Sequence, residues 1–210
     1  MDKALYISSA GATLAMRAQQ VHANNLANSN TLGFRRDFVS SLSVELEGDG
    51  FQSRIMSSIR GLGSSFDAGS QELTNRDLDV AINGDGWFTV ETIDGNEAYT
   101  RAGNLQVNAD GQLLIAKGLP VVGDAGAIEL PEFESIEIGS DGTITIIPVG
   151  GTGETVQVGQ LKLVNPDIKD LQKGLDGLFV SENGEELAAD PGVQLRTGFL
   201  ETSNVSAMDE

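Results

Sequence analysis

The sequence of 210 residues contains no cysteine. Disulfide bonds, thiolate chemistry and cysteine-ligated metal sites are therefore excluded. Histidine occurs once, at His22, inside a stretch with a helical pattern. A histidine-based catalytic relay or metal site would need partners that the sequence does not place near it. The sequence indicates no catalytic residue, no cofactor and no metal, and we expect a protein that is not an enzyme.

Positive charge is also scarce, since 13 lysines and arginines face 31 aspartates and glutamates, for a net charge of −18. A surface this acidic repels nucleic acid and anionic membrane surfaces. The chain also lacks an apolar run of roughly 18 residues, the length needed to span a bilayer. Its first residues do not resemble a cleavable signal peptide, because polar side chains interrupt them. We therefore expect no membrane insertion, and any export to follow another route.

The first segment has the spacing of an amphipathic helix over about residues 3–31. Apolar or small residues recur three and four positions apart, as in a coiled-coil seam, at Ala4, Ile7, Gly11, Leu14, Ala18 and Val21. Gly33 is a plausible helix stop. A stripe this narrow needs a packing partner. No neighbouring segment suggests an intramolecular one, so we expect the helix to pack between subunits.

The next two segments differ in composition. Residues 35–70 are rich in serine and glycine with spaced apolar anchors, which indicates an extended connector. Residues 71–199 carry short apolar runs between turn dipeptides, which predicts a β domain of hairpins. The dipeptides are Asp85-Gly86, Asp94-Gly95, Asp110-Gly111, Asp141-Gly142, Asp176-Gly177 and Asn183-Gly184. Residues 200–210 return to helix-forming composition and are expected to begin a helix near Val205 that is cut short.

The predicted fold class is therefore mainly β. It is a compact antiparallel β domain of hairpins inserted between terminal helical segments, with a long N-terminal coiled-coil-type helix. The strand candidates are Val80–Ile82, Phe88–Glu91, Leu105–Val107, Leu113–Ile115, Ile136–Ile138, Thr143–Ile147, Val156–Val164, Leu178–Val180 and Leu195–Phe199. The domain boundaries are predicted at residues 34, 70 and 199.

Two short patterns suggest chemistry only weakly. Asp77 and Asp79 are two residues apart and would share one face of a strand, which is compatible with calcium binding or acid–base work. The spacing of a helix–loop–helix calcium site is absent. Gly84-Asp85-Gly86 begins like a dinucleotide-binding loop, but a strand and not a helix is predicted after it.

Three asparagines, Asn24, Asn25 and Asn28, stand near the end of the predicted helix, where asparagine is unfavourable. Their amides could bridge neighbouring helices or satisfy the backbone of the following turn, or the helix could simply fray there.

Residues 24–35 (NNLANSNTLGFR) resemble the N-terminal signature of bacterial flagellar rod and hook proteins. Residues 78–88 (LDVAINGDGWF), 99–105 (YTRAGNL) and 200–205 (LETSNV) resemble three further blocks of that family, in the family's order. The opening MDKALY is most similar to the proximal-rod members of the F type. The distal-rod members of the same family are the alternative.

The resemblance implies a structural subunit of the basal-body rod, the helical drive shaft that carries torque across the periplasm from motor to hook. It also implies export by the flagellar type III apparatus, without a cleavable signal peptide, and partners among the other rod subunits and adjoining basal-body proteins. The residues expected at subunit contacts are Ile7, Leu14, Val21, Asn24, Asn25, Leu26, Asn28, Gly33 and Phe34. Family members continue into a long C-terminal helix beyond the point where this sequence stops.

A competing interpretation is a secreted β domain that binds carbohydrate or calcium. A carbohydrate site would need an exposed aromatic platform, for which Trp87 and Tyr99 are the candidates. Trp87 begins the apolar run Trp87–Val90, which reads as a strand, and we expect it to pack within the sheet instead.

Overall fold

A helix of 25 residues, α1, occupies Lys3–Ala27. It is followed by a hairpin of strands β1 (Asp37–Glu45) and β2 (Ile55–Ser64). These elements belong to one of two compact units of the chain, which comprises residues 1–30, 35–67 and 205–210. The structure, a computed structural model, describes residues 3–45, 55–115, 117–150, 153–206 and 208, and the side chains of 8–41, 61 and 63 onwards within them.

The β1–β2 pair is antiparallel and starts at the pairing of Asp37 with Ser64. The register shifts between Ser40 and Ser41, where β2 has one extra residue, Arg60, and this bulge interrupts the two-residue alternation in β2. The segment predicted as an extended connector thus contains a paired hairpin.

The second unit, residues 31–34 and 68–204, is the β domain. It contains, in chain order, β3 (Gln71–Leu73), β4 (Val80–Asn83), β5 (Trp87–Glu91), β6 (Glu97–Thr100), β7 (Leu105–Val107), β8 (Leu113–Ile115), β9 (Val122–Gly123), β10 (Gly126–Ala127), β11 (Phe133–Ile138), β12 (Thr143–Pro148), β13 (Val156–Gln160), β14 (Leu163–Val164), a 3-10 turn (Ile168–Asp170), β15 (Leu171–Lys173), β16 (Phe179–Ser181), β17 (Gln194–Thr197) and β18 (Phe199–Glu201).

The sheets are small and antiparallel. The largest has five strands in the order β14-β5-β6-β16-β15, and a second has three in the order β11-β12-β13. The remaining strands of the domain pair as β3–β18, β4–β17, β7–β8 and β9–β10. One apolar core joins most of them, with Val80, Phe88, Leu105, Ile144 and Leu163 among its buried members. The mainly β fold predicted from the sequence is confirmed.

The predicted elements differ from the observed ones mostly at their ends. The helix prediction is confirmed, but α1 ends at Ala27, four residues before the predicted limit. The predicted strand Leu195–Phe199 is divided at Gly198, where φ is +77°, and its halves pair with β4 and β3. The predicted strand Val156–Val164 is also divided, between Gln160 and Leu163, and its halves pair with β12 and β5.

Turn chemistry was predicted correctly. All six glycines of the Asp-Gly and Asn-Gly pairs have positive φ angles, between 68° and 134°. This is the left-handed region that glycine enters without steric cost.

Two expectations for helices have no counterpart in the structure. In the part of the chain that the structure describes, α1 is the only α-helix, so it has no coiled-coil partner there. Residues 202–206, where the start of a C-terminal helix is predicted, hold no helix.

Candidate assembly site

One face of α1 packs against both strands of the β1–β2 hairpin. Asn25 marks this face, since its side chain is buried and bonded to β1. Leu14, Ala18 and Val21 are half-buried and lie 11, 7 and 4 residues before Asn25, on the same side of the helix. The predicted seam therefore has an intramolecular neighbour that sequence reasoning did not find. The side chain of Ile7, another predicted seam residue, lies outside the described part.

Asn25 bonds the backbone of Asp37 in both directions. Its Nδ2 donates to the Asp37 carbonyl oxygen at 2.9 Å, and the Asp37 N–H donates to Asn25 Oδ1 at 2.9 Å. An amide side chain can donate and accept at once, which a carboxylate or an apolar group cannot do. Asn25 is therefore buried in the helix because its amide forms two hydrogen bonds with the backbone of β1.

Asn28 closes the end of the helix. Its Nδ2 donates to the carbonyl oxygen of Asn24 at 2.9 Å and to Asn24 Oδ1 at 3.1 Å. Ser29 Oγ donates to the carbonyl oxygen of Leu26 at 2.9 Å. The same two carbonyls also accept from the Asn28 and Ser29 N–H groups, so the side-chain bonds reinforce the last turn of the helix. Within the chain, Asn28 therefore bonds the helix end, whereas Asn25 bonds the backbone of β1.

The opposite face of α1 carries a second stripe, here called the outer stripe. Its members alternate four and three residues apart and are all exposed: Ala12, Met16, Gln19, Ala23 and Leu26. Met16 and Leu26 retain 58% and 53% of their accessible surface. The outer stripe is offset by two residues from the Leu14–Val21 side, which is about 200° around the helix. None of its members is charged.

Gly33 and Phe34, predicted as assembly residues, are buried inside the β domain unit. The Gly33 N–H donates to the carbonyl oxygen of Glu201 at 2.9 Å. Gly33 has φ +66°, and a Cβ there would lie 2.4 Å from the carbonyl carbon of Arg101. Lys173 Nζ lies 3.8 Å from the centre of the Phe34 ring. Gly33 thus allows its backbone to lie close to the backbone of Arg101. It stands six residues beyond the observed end of the helix.

A buried ion pair lies next to this approach. Arg101 Nη1 and Glu201 Oε2 are 3.1 Å apart, and their side chains retain 4% and 1% of their accessible surface. Arg101 Nη2 donates to the Gly84 carbonyl oxygen at 2.8 Å, and Glu201 Oε1 accepts from the Gly69 N–H at 3.2 Å. Burial lowers the pKa of the Arg101 guanidinium, and the Glu201 carboxylate opposes that shift. Sequence reasoning missed this pair, because its members are 100 residues apart.

The two candidate platform aromatics are buried. Trp87 packs on Phe179, with ring centroids 4.5 Å apart, and the Arg101 guanidinium lies 5.4 Å from the Trp87 ring centroid. Tyr99 is buried, and its hydroxyl donates to Glu97 Oε2 at 3.2 Å and accepts from the Leu187 N–H at 3.0 Å. Burial raises the pKa of Tyr99 to about 12. Neither ring offers a flat surface to a sugar.

The carboxylates Asp77 and Asp79 do not form a metal centre. Asp79 is buried and pairs with Arg76 Nη1 at 3.1 Å. Among the described residues there is no group of three or more potential metal ligands. His22 lies exposed on α1.

None of the helices within the described residues is long and apolar enough to cross a membrane.

Two family patterns match the sequence. Residues 5–35 match the family described as flagella basal body rod protein, which covers most of α1 and the turn after it. Residues 81–146 match the family described as flagellar hook protein FlgE/F/G D1 domain, which covers β4 to most of β12.

Relatives of known name match over nearly the whole chain. The flagellar basal-body rod protein FlgF of Escherichia coli K12 is 40% identical over 99% of this chain and 85% of its own length. The FlgF protein of Salmonella typhimurium LT2 is also 40% identical, over 100% of this chain and 86% of its own. The flagellar basal-body rod protein FlgG of Bacillus subtilis 168 is 33% identical over 100% of this chain and 88% of its own length.

Proposed function

The chain belongs to the flagellar basal-body rod protein family and is a structural subunit of the rod, and we propose that the outer stripe of α1 joins it to neighbouring subunits. Membership rests on the family patterns and on identity of 40% over nearly the whole chain. It places the protein in the flagellar basal body, assembled with other components of the rod. The greater identity to FlgF than to FlgG supports a position in the proximal rod.

The observation that carries the proposal is the composition of the outer stripe. A helix that faces only water normally presents charged residues on its solvent side. The outer stripe instead presents alanine, methionine, glutamine and leucine for four turns. Small side chains allow another helix to approach closely, and Met16 and Leu26 provide apolar area to bury.

The predicted contact residues then divide between two roles. Leu26 lies on the outer stripe, where we place the contact with another subunit. Leu14, Val21 and Asn25 lie on the hairpin side and fix the hairpin to the helix. Asn28 orders the helix end, with Asn24 exposed beside it. Ile7 remains a predicted contact.

We further propose that the assembled subunit transmits torque across the periplasm and reaches the rod through the flagellar type III export apparatus. A contact between different surfaces of successive subunits does not close into a ring and therefore builds a helical shaft. The lack of cysteine suits export, because the unfolded chain cannot be cross-linked on the way. The names of its relatives describe rod proteins, and we infer a structural and not an enzymatic role.

The proposal is tested by incorporation of full-length variants into basal bodies in the native host lacking the chromosomal copy. Gln19→Asp places a charge in the outer stripe and is expected to abolish incorporation and motility, because assembly would bury that charge. Gln20→Asp introduces the same change at the next exposed position, outside the outer stripe, and should leave both intact.

Purified basal bodies are assayed for the chain by mass spectrometry, and secretion of each variant is measured separately. Normal incorporation of Gln19→Asp, or equal loss with both variants, would contradict the assignment of the outer stripe.

A further inference from the structure

The turn between β15 and β16 carries a fully exposed leucine. Leu175 has 112% of the reference accessible surface, so it projects from the β domain as a knob. A leucine that is exposed alone is common on protein surfaces and needs no explanation. This one is notable because its turn is rigid and because the same domain contains a cleft that fits it.

Hydrogen bonds fix the turn that presents Leu175. The Gly174 N–H donates to the carbonyl oxygen of Leu178 at 2.7 Å, and the Gly177 N–H donates to that of Gly174 at 3.2 Å. Asp176 Oδ1 accepts from the Leu178 N–H at 3.1 Å. Lys117 Nζ donates to the Asp176 carbonyl oxygen at 2.9 Å, which ties the turn to the segment after β8. A knob held in this way loses little conformational entropy on docking.

The cleft lies where the β7–β8 turn meets the loops on either side of the β11–β12 pair. It has a volume of about 420 Å³, and its apolar wall consists of Val107, Leu130, Pro131, Phe133 and Val149. Val149 is 57% exposed although it belongs to this wall. Asp110 and Glu132 also line the cleft. The cleft is large enough for a leucine side chain and has an acidic rim.

Knob and cleft lie at opposite ends of the β7–β8 hairpin. The cleft includes the turn at residues 108–111, which precedes β8. Lys117, which holds the Leu175 turn, follows the other end of β8. Three strand residues separate these ends by roughly 10 Å. Leu175 is fully exposed, so the knob does not fill the cleft of its own molecule.

Charge is complementary between the two surfaces. Near the knob, Lys117 contacts its turn and Lys173, which lies over the Phe34 ring, precedes it by two residues, against one carboxylate at Asp176. Asp110 and Glu132 line the cleft. Ile93, a second large apolar residue at a hairpin tip among the described residues of the domain, is 96% exposed and stands next to Asp94 and near Glu91, while Glu97 is paired with Lys162. An acidic cleft attracts the first tip and repels the second.

We propose that Leu175 of one copy of this chain inserts into the Val107–Val149 cleft of a second copy, in a head-to-tail contact between β domains. The contact joins different surfaces of identical chains, so it can repeat along a filament. It deepens the proposed assembly function, on which its biological role rests, and adds a β-domain contact to the one made by α1.

The absence of cysteine allows a direct test on the full chain. Leu175→Cys and Val149→Cys are prepared as separate single-cysteine variants, one of them isotopically heavy, and mixed under mild oxidation. The proposal predicts that the mixed disulfide dimer forms at least about tenfold faster than with Ile93→Cys in place of Leu175→Cys, because docking raises the effective concentration. Adding Asp110→Lys and Glu132→Lys to the Val149→Cys chain should remove that advantage. Trp87 fluorescence checks that each variant is folded.

Equal rates for the Leu175 and Ile93 pairs would overturn the proposal, as would a rate unaffected by the charge reversal. The result is separable from the assembly function of α1. If the disulfide advantage is absent while Gln19→Asp still blocks incorporation, only the β-domain contact is wrong. If the advantage is present while Gln19→Asp assembles normally, only the assignment of the outer stripe fails.

Discussion

The side chain of Asn25 and the backbone of Asp37 form two hydrogen bonds of 2.9 Å, one in each direction. The Asn25 side chain thereby bonds the backbone of the first residue of β1 in both directions, as a neighbouring strand would. Because Asn25 is almost fully buried, water cannot replace these bonds if the amide is lost. This side chain therefore helps to fix the hairpin to the helix, together with the packing of Leu14 and Val21.

Replacing this amide should loosen the hairpin. Asn25→Asp keeps the shape but loses the donor to the Asp37 carbonyl oxygen, and we expect a cost of about 1–3 kcal/mol. Hydrogen exchange at the amides of residues 37–41 should become faster. Asn24→Asp, at the exposed neighbouring position, is the control and should leave exchange in β1 unchanged. Unchanged exchange in the Asn25 variant would show that the hairpin is held by packing alone.

Gly33 and Gly184 have almost the same φ, +66° and +68°, but different surroundings. A Cβ at Gly33 would meet the Arg101 backbone at 2.4 Å, whereas none of the described atoms lies within 4 Å of one at Gly184. Gly184→Ala should cost about 1–2 kcal/mol, the penalty of the left-handed conformation alone. Gly33→Ala should cost clearly more, measured by denaturant unfolding. Equal losses of stability for the two variants would mean that the backbone segments around Gly33 and Arg101 move apart freely.

The buried ion pair predicts a strong non-additive effect. Arg101→Met removes the cation that pairs with the buried Glu201 carboxylate and should cost about 3–5 kcal/mol. Arg196→Met, at an exposed arginine over the Phe199 ring, serves as the control and should cost no more than about 1 kcal/mol. The double variant Arg101→Met with Glu201→Gln should be more stable than the sum of the single changes predicts. Simple additivity would contradict a direct coupling of the two groups.

The titration of Tyr99 can be observed directly. The chain has two tyrosines, so a Tyr6→Phe variant reports Tyr99 alone through the near-ultraviolet absorbance of tyrosinate. Burial raises its pKa from 10.0 to about 12, so the midpoint should lie near pH 12 in the folded protein. The folded state favours the neutral hydroxyl, so this group's contribution to stability is complete below pH 10 and is lost as pH rises from about 10 to 12. A midpoint near pH 10 would place the ring in water.

Local sequence patterns were sufficient for features with local causes. The glycine turns, the hairpin of Leu105–Val107 with Leu113–Ile115, and the helix were predicted because each depends on neighbouring residues. The packing of Trp87 within the β domain followed from its place in an apolar run.

Features that depend on distant partners escaped prediction. Strand β3 is short and exposed, and it exists because Gln71 and its neighbours pair with Phe199–Glu201, more than a hundred residues later. Strand β2 was hidden by the bulge opposite Ser40 and Ser41, because the extra residue Arg60 breaks the alternation that would reveal it. Its hairpin is the intramolecular neighbour of α1, so the seam side of the helix was assigned to another subunit. The outer stripe has its own three–four spacing and could have been found by testing the residues two positions away.

The most direct test of the account measures whether assembly covers the outer stripe. Single cysteines are introduced at Ala23 on the outer stripe and at Gln20 outside it, both exposed in the isolated chain. Reaction with a thiol reagent should be equally fast at both positions in the isolated chain. In purified basal bodies, the cysteine at position 23 should be protected and the one at position 20 should still react. Equal reactivity of the two positions in the assembled rod would contradict the proposed role of the outer stripe.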